Sequence, residues 1–116
     1  MARGDIYIVH LPVPQNRPGR EQIGARPAIV VQADSSSAHL PTTIIVPMTS
    51  QRAALRFPHT IEVQHSPQNG LSAVSVLLVF QLRAIDNGRL SRRLGRLEDH
   101  YIDQLEDEMR AVLNLG

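Results

Sequence analysis

Apolar residues recur along the chain in short runs, and proline, glycine, serine and polar residues separate the runs. Runs of this length that are rich in valine and isoleucine are typical of strands. The pattern predicts five to seven short strands, in the segments DIYIVHL (5–11), RPAIVVQA (26–33), TTIIVPMTS (42–50), HTIEVQH (59–65), AVSVLLVF (73–80), QLRAIDNGRL (81–90) and RRLGRL (92–97). The nearly continuous apolar content of 73–80 predicts a central strand that is buried on both faces.

Proline and glycine mark the breaks between these strands. Residues 12–24 contain three prolines and two glycines without apolar periodicity, which predicts a loop that is functional or mobile. Pro47 lies inside the third strand, so we expect the ladder of hydrogen bonds to be broken, bulged or at an edge there.

The last part of the chain has a different period. From Glu98 to Leu113 apolar residues recur every three or four positions, which predicts a helix with one apolar face covering the core. This face comprises Tyr101, Ile102, Leu105, Met109, Val112 and Leu113. The strands and the helix together predict a mainly β fold with helical additions, a small β-barrel or compact sheet with a C-terminal α-helix.

Length and composition fit a single domain spanning residues 1–116. The chain has no cysteine, which excludes disulfides, thiolate zinc sites and a cysteine nucleophile and agrees with a cytoplasmic location. No apolar run approaches the roughly 20 residues that cross a bilayer, so we expect no membrane association. The N-terminal apolar segment is interrupted by Asp5 and closed by Pro12, which favours a strand over a signal peptide.

Charge is distributed unevenly. All twelve basic residues other than histidine are arginines, and eleven of them precede Glu98, whereas six of the eleven acidic residues lie between Glu98 and the C-terminus. Arginine forks onto phosphate oxygens, so a nucleic acid or an acidic peptide is a candidate partner. A coding bias that replaces lysine by arginine also explains the missing lysines, but not the asymmetry.

Several kinds of site are not indicated. The five histidines show no metal-ligand spacing, and the chain has no glycine-rich phosphate loop and no GxSxG elbow. We therefore expect neither a metal nor a cofactor. The aromatic residues, Tyr7, Phe57, Phe80 and Tyr101, are scattered in the sequence, so RNA binding would use charge and shape with little stacking.

Polar residues cluster where the predicted strands end. Strand ends that share one rim of a small barrel would bring cationic, carboxylate and hydroxyl groups into one groove. Polar residues also occur at strand ends simply because these are solvated, and the residues alone leave both interpretations open. The residues concerned are Glu21, Arg26, Thr49, Ser50, Gln51, Gln81 and Arg83.

The order of these segments resembles the MazF/PemK family of toxin endoribonucleases. The resemblance runs from about Arg3 to Leu113 and rests on RGDIYIVHL, GREQIGARPAIVVQAD, TTIIVPMTSQ, SVLLVFQLRAID and GRL…RLGRLEDHYIDQLEDEM. It implies an SH3-like barrel, a homodimer, metal-independent cleavage of single-stranded RNA at short sequences, and inhibition by a cognate MazE-like antitoxin.

The resemblance also implies roles for individual residues. Arg26 matches the family's catalytic arginine, Thr49 its catalytic hydroxyl residue and Glu21 a required glutamate. Because arginine is too basic to accept a proton easily, we expect Arg26 to stabilise the phosphate and Glu21 to be the general base, with His10 as the alternative. RNA contacts are expected from Arg20, Gln22, Ser50, Gln51, Gln81 and Arg83.

One departure from the family concerns the strand before Gln81. Some members carry an R-x-D-Q pattern there and use its Arg and Asp in catalysis, but this chain has Leu78 and Phe80 at the matching positions. A version of the site based on Glu21, Arg26 and Thr49 would have to suffice, with weak activity if it is incomplete. A catalytically silent relative that binds RNA or a protein, and a CcdB-like toxin that targets gyrase, remain alternatives.

Overall fold

The computed structural model describes residues 2–11, 24–34 and 39–116. Within these residues, three short 3-10 helices connect parts of the sheet, at Arg52–Arg56, Val79–Gln81 and Asn87–Arg89. The strands are β1 (Asp5–Leu11), β2 (Gly24–Val30), β3 (Thr42–Thr49), β4 (Thr60–Val63), β5 (Ser75–Leu78), β6 (Arg83–Asp86) and β7 (Leu90–Arg96), and the C-terminal helix, α1, is Asp99–Leu113. The predicted loop over residues 12–24 lies almost wholly outside the described residues.

The seven strands form one antiparallel sheet in the order β4-β5-β3-β2-β1-β7, and β6 also pairs with β3. The mainly β fold with a C-terminal helix is thus confirmed. The expected barrel is not closed, because no ladder joins β4 to β7 within the part of the chain that the structure describes. A turn after β4 approaches β7 instead, and the Arg96 backbone N–H donates to the Gln68 carbonyl oxygen at 3.0 Å.

Strand β3 holds the sheet together because it pairs with three other strands. Its first half, from Thr42 to Ile45, pairs with β6, and its last two residues, Met48 and Thr49, pair with β5. Pro47 lies between these two ladders, so its missing N–H falls where β3 changes partner. The expected break in the ladder at Pro47 is confirmed.

Strand β5 is shorter than its apolar run suggests. Its four residues are all buried, but the chain then turns into the 3-10 helix Val79–Gln81, and Phe80 is 40% exposed. Strand β5 lies between β4 and β3, one position from the edge, so the prediction of a central strand over 73–80 was wrong. A continuous apolar run indicates that both faces of a strand are buried, but it does not indicate where the strand lies in the sheet.

Two groups of buried side chains form the core. The larger group lies between the sheet and α1, and Leu105 and Met109 of the helix belong to it. Tyr101 and Ile102 pack against the same group, which confirms that the apolar face of the helix covers the core. Leu113 departs from this pattern and is 49% exposed. The smaller group comprises Val9, Leu11, Ala28, Val30, Ile45 and Ile85.

Candidate active site

A cavity of about 280 Å³ opens where the ends of β2 and β3 meet β7 and the segment between β4 and β5. Six side chains of its described lining carry hydroxyl or guanidinium groups, and no aspartate, glutamate or histidine is among the described lining residues. The six are Arg26, Thr49, Ser50, Ser72, Ser75 and Arg92. The chemistry of the cavity is therefore cationic and hydroxylic.

The strand register explains how Arg26 and Thr49 come together. Ala28 of β2 is paired with Pro47 of β3. The ladder ends at this pair, and Arg26 and Thr49 each lie two residues beyond it on their own strands. Pro27 restricts Arg26 to an extended backbone, in which the arginine continues the strand to the rim. Both residues line the cavity.

Thr49 is nearly buried, with 3% of its surface exposed. Its hydroxyl oxygen accepts a hydrogen bond from the Gln51 backbone N–H at 3.1 Å. A threonine hydroxyl also has one proton to donate, and no described residue accepts it. The side chain is thus oriented by Gln51 and keeps its donor for a ligand in the cavity.

The two arginines of the described lining carry charge without a counterion among the described residues. Neither the Arg26 nor the Arg92 guanidinium forms an ion pair with a described residue, in contrast to Arg93, whose Nη2 lies 3.1 Å from Asp5 Oδ1. The guanidiniums of the half-buried Arg26 and the exposed Arg92, beside four serine and threonine hydroxyls, favour an anionic ligand with several oxygens. A phosphate group of a nucleic acid has this character.

Arg92 was missed by the sequence analysis. The ladder between β1 and β7 has two register shifts, and such bulges change the face on which each residue lies. The regular alternation of side chains along a strand therefore does not predict which of the arginines in RRLGRL faces the cavity. The available signal was the excess of arginine in this segment.

A buried polar network supports the wall of the cavity that Gly70 and Leu71 form. Asn69 is fully buried, its Oδ1 accepts from the Ser66 and Leu71 backbone N–H groups, and its Nδ2 donates to Glu98 Oε1 at 3.0 Å. Burial acts to raise the pKa of Glu98, but hydrogen bonds donated by Ser66 and Asn69 outweigh it and hold that pKa below its ordinary value. The network fixes the turn against the start of α1.

Gly70 has no room for a side chain. Its φ is +70°, and a Cβ there would lie 2.1 Å from the Leu94 carbonyl oxygen. The turn and β7 therefore touch through their backbones, and this close contact brings Arg92 and the Gly70–Ser72 segment to the same cavity.

Of the other predicted site residues that the structure describes, only some line the cavity. Ser50 lines the cavity, whereas Gln51, Gln81 and Arg83 are exposed and are not among its lining residues. His10 is exposed on β1, two residues beyond the lining residue Ile8, and its side chain does not line the cavity. Glu21, Gln22 and Arg20 lie outside the described residues.

No three His, Asp or Glu side chains among the described residues are grouped as metal ligands. No helix in the described ranges is long and apolar enough to cross a membrane.

Comparison with known proteins gives consistent matches over nearly the whole chain. A family model described as "PemK-like, MazF-like toxin of type II toxin-antitoxin system" matches residues 2–113. Endoribonuclease EndoA of Bacillus subtilis is 33% identical over 97% of this chain and 94% of its own length. Endoribonuclease MazF of Staphylococcus saprophyticus is 31% identical over 99% of this chain and 92% of its own length.

Solved structures share the fold at lower sequence identity. Mycobacterium tuberculosis toxin MazF-mt6 superposes with a TM-score of 0.76 at 20% identity and covers 97% of this chain and 98% of its own. A MazE–MazF crystal structure from Deinococcus radiodurans gives a TM-score of 0.74 at 22% identity, with 100% of this chain and 97% of that chain covered.

Proposed function

Because the chain belongs to the PemK-like, MazF-like toxins of type II toxin–antitoxin systems, we propose that it is a sequence-specific endoribonuclease that cleaves single-stranded RNA and so inhibits translation. The observation that carries the proposal is the cavity in which Arg26, Arg92 and the Thr49 hydroxyl meet without a carboxylate among the described lining residues. Its charge and hydrogen-bond donors suit a phosphodiester.

The proposed reaction uses the RNA's own nucleophile. The ribose 2′-oxygen forms a bond to the adjacent phosphorus, the bond from phosphorus to the 5′-oxygen breaks, and the products carry a 2′,3′-cyclic phosphate and a 5′-hydroxyl. A base removes the 2′-hydroxyl proton, and an acid delivers a proton to the leaving 5′-oxygen. Negative charge accumulates on the non-bridging oxygens of the crowded phosphorane in between.

The cavity residues have distinct roles in this reaction. Arg26 forks onto two non-bridging oxygens and holds them in line, which stabilises the charge of the phosphorane. Thr49 donates its hydroxyl proton to a phosphate or leaving oxygen. Arg92 binds the same phosphate or its neighbour from the other side of the cavity. None of these steps requires a metal, so the proposed reaction proceeds in EDTA.

The general base is assigned to Glu21, in keeping with the absence of carboxylates and histidines from the described lining of the cavity. His10, on the strand that carries the lining residue Ile8, is the alternative base. The flanking RNA nucleotides are assigned to polar residues around the cavity, namely Arg20, Gln22, Ser50, Gln51, Gln81 and Arg83.

The proposal includes the setting in which the toxin works. We assign residues 1–116 to one toxin domain that acts in the cytoplasm, where its RNA substrates are, and assembles as a homodimer. A cognate MazE-like antitoxin blocks its activity. Two of the structural neighbours are described as MazE–MazF and as an endoribonuclease in complex with its cognate antitoxin.

The test is a cleavage map. Purified protein is incubated with a long single-stranded RNA in EDTA, and the cut sites and end groups are determined. We expect cuts at one short recurrent sequence, with cyclic phosphate and 5′-hydroxyl ends. An intact RNA would refute the nuclease, and inhibition of gyrase supercoiling by the same protein would then indicate the CcdB-like activity.

A further inference from the structure

Two of the four aromatic residues other than histidine are exposed and in contact. Phe57 follows the 3-10 helix Arg52–Arg56 and is 42% exposed, and Phe80 lies in the 3-10 helix Val79–Gln81 and is 40% exposed. Their ring centroids are 5.4 Å apart and the planes are inclined by 54°. The two residues are far apart in the sequence, but the fold brings their rings together at the surface.

The pair is held in place by backbone contacts. Thr60 Oγ1 donates to the Phe57 carbonyl oxygen at 2.9 Å, and the Val79 backbone N–H donates to the His59 carbonyl oxygen at 3.1 Å. His59 is tied in turn to α1, since its Nδ1 lies 2.9 Å from Glu108 Oε1. Two rings fixed on short, hydrogen-bonded elements form a preorganised apolar surface.

Both rings are connected to the catalytic cavity by short segments. Thr49 is paired with Val76 of β5, and Phe80 follows Val76 by four residues, which places the Cα atoms of Val76 and Phe80 at most roughly 14 Å apart. On the other side, the 3-10 helix that precedes Phe57 begins three residues after Thr49. A single strand of RNA whose phosphate occupies the cavity reaches the pair within a few nucleotides.

The charge beside the pair favours nucleic acid over a second copy of the chain. The Arg56 guanidinium lies 4.8 Å from the centroid of the Phe57 ring and forms no ion pair with a described residue. In a symmetric dimer centred on this patch, Arg56 would face the partner's Arg56, which is unfavourable. A base on the rings with its phosphate at Arg56 would instead satisfy both features.

From these contacts we propose that Phe57, Phe80 and Arg56 form a stacking subsite for one base of single-stranded RNA, a few nucleotides from the cleaved phosphodiester. This inference rests on the proposed nuclease function. Phe80 occupies the position of the aspartate in the R-x-D-Q pattern. In the proposed subsite it binds an unpaired base through the flat face of the base and not through the polar edge of the base.

The first test pairs protein variants with modified substrates. Phe57→Ala and Phe80→Ala are each expected to lower kcat/KM roughly 10-fold on a short oligonucleotide that contains the mapped cut site. Removing a single base from the substrate at the matching position should lower the wild-type value by a similar factor and should cause no further loss in the variants. If removing a base lowered kcat/KM by the same factor in the wild type and in the variants, at every substrate position, the subsite would be overturned.

The second test reads stacking directly. The chain has no tryptophan, so Phe57→Trp introduces a single reporter. We expect saturable quenching by an oligonucleotide made uncleavable with a 2′-deoxy nucleotide at the cut site. Leu40→Trp is the control, because Leu40 is 45% exposed and lies before Thr42, at the end of β3 opposite to Thr49. The control should show no quenching.

The outcomes separate this inference from the function on which it rests. Cleavage of RNA by Phe57→Trp without quenching would overturn the subsite and leave the nuclease standing. Quenching without cleavage by the wild-type protein would support the subsite and refute the nuclease. A shift of the Phe57→Ala or Phe80→Ala variants to a smaller species in sedimentation, with unchanged kcat/KM, would show an interface between copies and overturn the subsite.

Discussion

Arg26 and Thr49 belong to different strands and line one cavity, where the nearly buried Thr49 hydroxyl keeps a proton that no described residue accepts. Each lies two residues beyond the Ala28–Pro47 pair, which is the last pair at this end of the ladder between β2 and β3. Because both are positioned by core strands, their geometry is set before a ligand binds.

Arg26→Ala should lower the cleavage rate by roughly 10²-fold or more, the effect of removing one donor that stabilises developing charge. Its guanidinium forms no ion pair with a described residue, so the melting temperature should stay close to that of the wild type. Steady-state cleavage of a short RNA and a thermal melt measure the two effects. Arg110→Ala, on α1, is the control. A melting temperature that falls together with activity would mark Arg26 as structural.

Thr49→Val removes the hydroxyl while keeping the shape of the buried side chain. We expect a loss of roughly 10²-fold in kcat, because the phosphate or leaving oxygen loses a donor. Thr49→Ser retains the hydroxyl and should restore most of the activity. If Thr49→Val and Thr49→Ser were equally active, the hydroxyl would have no part in the reaction.

Arg92→Gln tests the residue that the sequence did not single out. If Arg92 binds a phosphate, the slope of log KM against log salt concentration should fall by roughly 0.7, the contribution of one phosphate contact to a single strand. The slope of Arg110→Gln, which removes the same charge from α1, should equal that of the wild type. An unchanged slope for Arg92→Gln would exclude the contact.

The stability of the fold should decrease in acid because of two carboxylates, those of the buried Asp5 and the partly buried Glu98. Burial acts to raise the pKa of Asp5, but the Ala2 N–H and the Arg93 guanidinium outweigh it and lower that pKa, as Ser66 and Asn69 do for Glu98. A carboxyl whose pKa is lower in the folded state stabilises the fold above its unfolded pKa, and this contribution disappears as the pH falls through the folded pKa.

Urea unfolding measures this effect. The free energy of unfolding should be constant near neutral pH and should begin to fall as the pH drops below the ordinary values of 3.8 for Asp5 and 4.5 for Glu98. In the double variant Asp5→Asn, Glu98→Gln the decrease should be smaller. A wild-type protein that gained stability over the same range would contradict the assigned hydrogen bonds.

The sequence predicted those elements that a regular hydrophobic period specifies. The helix was predicted from Glu98 and begins at Asp99, because its apolar face repeats every three to four residues. The prediction failed at Val79 and Phe80, where apolar residues leave the sheet after β5. Local hydrophobicity cannot distinguish a strand from an apolar turn that packs on the core or lies exposed.

A site residue could be predicted from the sequence where it lies at the end of a strand with a regular hydrophobic pattern. Arg26 and Thr49 stand at the ends of strands with clear patterns, and they line one cavity. Arg92 lies on a strand with register shifts, and the contact between Phe57 and Phe80 joins two separate 3-10 helices. Such arrangements depend on tertiary packing, which the hydrophobic periodicity of a single sequence does not indicate.

The central claim is that this chain cleaves RNA by attack of the 2′-hydroxyl at the Arg26–Thr49 cavity. Its most direct measurement uses two oligonucleotides in EDTA, one all ribose and one with a single 2′-deoxy nucleotide on the 5′ side of the mapped cut. We predict that the first is cleaved to a cyclic phosphate and a 5′-hydroxyl, while the second is intact at that position. Cleavage of the deoxy-substituted position, or loss of all cleavage in EDTA, would contradict the mechanism.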